Sequence, residues 1–136
     1  MSDNKYRTND RVIFGQYLIS KRLERKVTAS ELAEALKISP VYLCDIEKGR
    51  KPAGTDELLN NIKHILKLND EESEQMYDLA ALARNCVSAD LPKYIMSSQL
   101  VRTALRTAQK NEIPDEKWEK FIKEIIRDDA NEDKEE

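Results

Sequence analysis

The side chains able to do covalent or metal chemistry are few and scattered. The chain of 136 residues has one histidine, His64, and two cysteines, Cys44 and Cys86. No Ser/His/Asp or Cys/His set and no cluster with metal-ligand spacing can be assembled from them, and three glycines leave no glycine-rich phosphate loop. Nothing here suits an enzyme, a metal or a cofactor. The informative residues lie between 39 and 51. If Ser39-Pro40 opens a helix, Val41, Cys44, Asp45 and Lys48 share one face at about 100° per residue. Leu43, Ile46 and Glu47 fall on the other side, with Tyr42 on the flank. Arg50 and Lys51 follow directly after Gly49. That set offers apolar contact, a carboxylate acceptor and cations, which is the chemistry of recognition by hydrogen bonds and charge.

Positioning such a face takes helices, and the sequence reads as helices almost throughout. Residues 1–10 are polar and expected to be flexible. From Val12 to Leu23 the apolar residues Ile13, Phe14, Tyr17 and Leu18 recur at helical spacing. Thr28 with Glu31 reads as a capping box opening a second helix, on which Leu32, Ala33 and Leu36 form one face. Ser39 suits the N-cap of a third and Pro40 its first turn, and Gly49 ends it in a left-handed cap. Thr55 caps a fourth helix carrying Leu58, Leu59, Ile62, Ile65 and Leu66, and Asn69-Asp70 start a fifth with Met76, Leu79, Ala80 and Ala83. Residues 86–96 read as a connector with a short helical turn at Leu91–Met96. A sixth helix carries Leu100, Val101, Ala104, Leu105 and Ala108. A seventh, opened by Pro114, carries Trp118, Phe121, Ile122 and Ile125. Residues 128–136, with six acids and one lysine, are expected to be disordered.

Two short helices separated by Lys37-Ile38-Ser39 have the spacing of a helix-turn-helix. Their close crossing needs a small contact residue, which Ala33 supplies. Leu32, Leu36, Ile38, Leu43 and Ile46 are its apolar core. The stretch VTASELAEALKISPVYLCDIEKGRKP resembles the phage-repressor (Xre-like, lambda-repressor-like) helix-turn-helix family, from about Phe14 to Leu68, with a fifth helix on to Arg84. The resemblance implies an all-α fold: a five-helix DNA-binding domain over 11–85 with a C-terminal helical extension over 86–127. It also implies an ion pair between Arg22 on the first helix and Glu47 near the end of the third, holding Arg22 toward a DNA phosphate. A plain surface pair at those positions would be worth little. One departure from the family is Lys37, where a glycine is usual. A lysine there takes a left-handed conformation at a cost of about 1 kcal/mol.

The resemblance makes double-stranded DNA the partner, and helical geometry then assigns the contacts. Ser39 and Pro40 at the tip, with Val41, Cys44 and Asp45, face base edges in the major groove. Val41 suits a thymine methyl, and Asp45 a cytosine amino group while it repels phosphates. Cys44 is a small spacer against a base. Phosphates fall to Arg50 and Lys51 first, then to Arg22 and the backbone around Ala29 and Ser30, with Lys48 and the Tyr42 hydroxyl beside them.

Charge agrees with that polarity. Residues 1–54 hold 11 lysines and arginines against 7 acids, and residues 55–136 hold 12 against 19. The cationic supply is modest, so useful affinity calls for a homodimer on two half-sites of a palindromic operator. Composition places the chain in the cytoplasm: no apolar run spans a membrane, no secretory leader is visible, and two cysteines make no disulfide framework. The helices between 97 and 127 either complete the core or bind a second copy or another protein. The leading expectation is a repressor. The alternative is an antitoxin-like or anti-repressor interaction module whose DNA binding is only autoregulatory.

Overall fold

The computed structural model describes the backbone of residues 2–135 and the side chains of residues 9–130. All eight elements in that range are helices: α1 (Ser2–Glu24), α2 (Ala29–Leu36), α3 (Pro40–Glu47), α4 (Asp56–Ile65), α5 (Asp70–Arg84), α6 (Pro92–Ser97), α7 (Gln99–Lys110) and α8 (Asp115–Glu135). The chain divides into two compact units, Met1–Tyr94 and Ile95–Glu136.

The first unit holds the core. Phe14 and Leu18 of α1, Leu32, Ala33 and Leu36 of α2, Leu43 and Ile46 of α3, Leu58, Leu59 and Ile62 of α4 and Met76, Tyr77 and Ala80 of α5 are all buried in one cluster. Helix α1 is the spine, packing on α5 and α3, while α2 packs on α3 and α4. Each burial follows from helical periodicity, since the apolar residues sit three or four apart on faces that meet.

Caps define the short helices. Thr28, Ser39 and Thr55 each accept a backbone N–H from the third residue onward, Glu31, Tyr42 and Leu58. The box expected at Thr28 is only half formed. The Glu31 carboxylate accepts the Thr28 hydroxyl at 2.9 Å instead of returning to the backbone N–H. The reciprocal box occurs at Asn69 and Glu72, where each side chain accepts from the other's N–H. Lys37 takes the left-handed conformation expected of it, φ 58°, and the N–H of Ile38 closes the turn onto the Ala33 carbonyl.

Three boundaries differ from expectation. Helix α1 starts at Ser2, so the stretch 1–10 expected to be flexible is helical from its second residue. Its residues are polar, but no proline or glycine precedes Gly15, and a helix anchored by Phe14 and Leu18 extends cheaply once nucleated. Helix α8 runs to Glu135 through most of the segment 128–136 expected to be disordered; that segment also lacks glycine and proline. The first unit extends past residue 85 to Tyr94 because Ser88 is buried, with its hydroxyl donating to the Asp78 carboxylate, and Ala89 packs on the core.

The second unit consists of the end of α6, α7 and α8. Ser98 caps α7 by accepting the Val101 N–H at 3.2 Å, and Arg102 donates to the Ile95 and Met96 carbonyls. The Trp118 and Phe121 rings meet edge-on with centroids 6.2 Å apart. Leu100, Ala104, Ala108, Ile113 and Trp118 line an open apolar groove of about 540 Å³. Among the described residues of this unit no side chain is buried. No helix of the described residues is long and apolar enough to cross a membrane.

Candidate nucleic-acid interface

Helices α2 and α3 with the turn at 37–39 form a helix-turn-helix. Within α3 the two faces separate as the periodicity demands. Leu43 and Ile46 are 1% exposed, whereas Val41 is 71% exposed. Ser39 and Pro40 beside Val41 are exposed, Cys44 and Asp45 half-buried, and Lys48 exposed at the C-cap. Of the residues expected to read base edges, Ser39, Pro40 and Val41 are open to solvent and Cys44 and Asp45 only partly so.

The seat of α3 is set by α1. Arg22 donates from Nε to Glu47 Oε1 and from Nη2 to Glu47 Oε2, both at 3.2 Å, a bidentate pair. Its Nη1 donates to the Val27 carbonyl at 3.2 Å. Only 6% of Glu47 is exposed and 13% of the Arg22 side chain. Arg22 is thus more enclosed than a free phosphate ligand would be. Three of its five N–H groups are committed inside the protein, and what it can give a phosphate is the remainder.

Gly15 is a residue that sequence reasoning missed. A Cβ there would lie 2.1 Å from the Glu47 carbonyl oxygen and 2.8 Å from that of Ile46. The bare Cα lets α1 come against the C-terminal carbonyls of α3, as Ala33 lets α2 approach. The available signal was a glycine inside an otherwise continuous helical pattern, which usually marks a close approach. Gly49 lies in the same contact: with φ 77° it ends α3, and its Cα faces Val12 of α1.

The loop after α3 folds back over Asp45. Both the Arg50 and the Lys51 amides donate to the Asp45 carbonyl, at 2.8 and 3.2 Å. Their side chains reach the Asp45 carboxylate at 3.5 and 3.8 Å. Lys51 Nζ also lies 5.4 Å from the centre of the Tyr42 ring, a cation–π distance. Tyr42 is half-buried against the core, as expected of its flank position. The acid singled out for base contact and the cations singled out for phosphate thus hold one another in the free protein. At the other end, the first residues of α2, Ala29 and Ser30, are exposed where the helix dipole is positive.

Among the described residues, no group of three or more His, Cys, Asp or Glu side chains is placed to hold a metal ion, and both cysteines are unpaired thiols. No protein-family model matches the chain, and no curated protein matches it. It is similar to two solved structures of the clp gene regulator ClgR from Corynebacterium glutamicum. One shares 36% identity over 56% of this chain and 88% of its own, with a TM-score of 0.43. The other shares 34% identity over 66% of this chain and 94% of its own, with a TM-score of 0.45.

Proposed function

We propose that this chain is a sequence-specific DNA-binding transcriptional regulator, a binding protein and not an enzyme, which seats α3 in the major groove. The observation that carries the reading is the split of α3. Leu43 and Ile46 anchor it while Val41 stands 71% exposed beside Ser39 and Pro40. An apolar residue so exposed at the start of a helix-turn-helix second helix has little structural use, and it suits a thymine methyl. Arg50, Lys51, Lys48 and the amides of Ala29 and Ser30 flank it for the phosphate backbone.

Three exposed cations bind weakly as a single copy, so the regulator works as a homodimer on a palindromic operator, and repression by promoter occlusion is its simplest mode. The second unit supplies the dimer surface. Phe121, Ile122, Ile125 and Ile126 of α8 are each about half exposed or more. Helix α7 carries Arg102, Arg106 and Lys110 without an acid, while α8 carries an excess of acids. A second copy can therefore cover the apolar stripes and set basic α7 against acidic α8.

The same uncovered stripes favour a second reading, in which α7 and α8 receive a different protein and DNA binding only adjusts the chain's own synthesis. Selection from random duplex DNA separates the two. Recovery of a palindrome, with binding that falls steeply with salt, supports the regulator. No enriched sequence, together with a stable complex of the full chain with an unrelated protein, supports the interaction module.

A further inference from the structure

Asp45 stands between the base-reading strip and the phosphate-binding loop, and we propose that it is a specificity-determining residue that works by exchange. In the free protein its carboxylate holds the Arg50 and Lys51 side chains at 3.5 and 3.8 Å. On DNA both cations turn to phosphates, and the carboxylate, released, must find a donor in the major groove. The inference rests on the DNA-binding reading above and adds to it how the site rejects the wrong sequence.

Three features carry it. The backbone of the loop is fixed to Asp45 itself, because the amides of residues 50 and 51 both donate to its carbonyl. The backbone of residues 50 and 51 therefore stays beside Asp45 while their side chains are free to turn toward it or away. The ion pairs are lopsided: Arg50 and Lys51 are 63% and 54% exposed, Asp45 only 18%. Pairs with such exposed cations are weak and exchangeable, whereas a half-buried carboxylate stripped of its cations is costly to leave unpaired. Finally, Asp45 shares its helix face with Val41, so the released carboxylate lies on the groove side, where a cytosine amino group is the donor available.

The consequence is a penalty on every duplex and relief only on the right one. Phosphate contact anywhere draws Arg50 and Lys51 away from Asp45. Where no amino group meets the carboxylate, the cost stands and the complex is weak. Where one does, the acid is satisfied again. Tyr42 steadies the arrangement by keeping Lys51 near its ring, 5.4 Å from the centroid, in reach of both partners.

The test uses the full chain, wild type and Asp45→Asn, with Arg50→Ala as a control and circular dichroism to show that each folds. Dissociation constants are measured across a salt series on a duplex recovered by selection and on its scrambled counterpart. Exchange requires D45N to bind the scrambled duplex roughly three- to tenfold more tightly, since free cations release more counterions. It also requires no gain on the recovered duplex, so that the specificity ratio falls by the same factor. Equal tightening on both duplexes overturns the proposal, because Asp45 would then only repel phosphate. Equal weakening overturns it too, because Asp45 would then only shape the loop. A selection that enriches no sequence, with a wild-type protein that holds no duplex at low salt, removes the DNA-binding reading itself, an outcome distinct from the other two.

Discussion

In the proposed complex α3 and the loop after it divide the work of recognition in a way substitution can expose. Arg50 is the proposed contact to the sugar-phosphate backbone, which is the same in every sequence, so Arg50→Ala should weaken all duplexes alike. The loss should be about tenfold near physiological salt, and the slope of log K against log salt should fall by about one. Val41 is the proposed contact to a base edge. Val41→Ala should leave the salt slope unchanged and cost about 1 kcal/mol at one position of the recovered site, where the preference relaxes. Filter binding over a salt series and a repeat of the selection distinguish these patterns, and a uniform loss from V41A would remove Val41 from the groove. Gly15 acts at one remove. A methyl at that position meets backbone, not a pliable side chain, with the Glu47 oxygen 2.1 Å away. Gly15→Ala should therefore destabilise the first unit by about 3 kcal/mol, read in urea unfolding, because α1 and α3 must separate to admit it.

At the scale of elements, the turn between α2 and α3 carries a removable strain. Lys37 is exposed and sits at φ 58° where no side chain is needed. Lys37→Gly should stabilise the protein by about 1 kcal/mol and raise the unfolding midpoint without altering sequence preference. The packed junction of α1 with α5 also carries a charge cluster. The Asn69 backbone N–H, then Lys21 and Arg25, hold the Glu72 carboxyl well below an ordinary glutamate, at about 2. In the unfolded chain Glu72 protonates near its usual value, about 4.3. Its contribution is therefore complete above that pH and is lost as pH falls toward 2. Glu72→Gln keeps a capping oxygen but no charge. The stability gap between wild type and E72Q should be constant from pH 7 to about 5 and close by pH 2, and a gap that persists in acid would contradict the pairing. These elements also show what sequence alone could and could not reveal. The caps at Thr28, Ser39 and Thr55, the left-handed Lys37 and the buried faces of α1 to α5 are local consequences of residue type and spacing, so they were legible. The Arg22–Glu47 pair came through the family resemblance, because residues 25 apart leave no periodic trace. The grip of Asp45 on Arg50 and Lys51 was not legible, since it depends on how a loop folds back after Gly49. The starting point of α1 and the end of α8 were missed for another reason: polarity signals exposure, and an exposed helix without breakers looks like a tail.

At the scale of the whole molecule, the two units differ in what they can do alone. The first buries a complete core. The second leaves Leu100, Phe121, Ile122, Ile125 and Ile126 exposed and buries no side chain among its described residues. Hydrophobic burial contributes about 25 cal/mol for each Å² removed from water, so covering these side chains is favourable. The proposed homodimer would meet that demand and double the number of α3 helices presented to DNA. The two consequences are linked, which makes them testable together in the full chain. Ile122→Asp with Ile125→Asp places two charges in the centre of the stripe, where a partner would have to bury them unpaired. Light scattering should report a dimer for wild type and a monomer for the variant at micromolar concentration. Binding to a two-half-site duplex should fall at least tenfold, while the weak binding to a single half-site stays as it was, because α3 and its loop are untouched. A variant that remains dimeric would place the dimer contact elsewhere. A wild-type monomer that becomes stable only with a different protein would transfer α7 and α8 to that partner, leaving α3 to act one copy at a time.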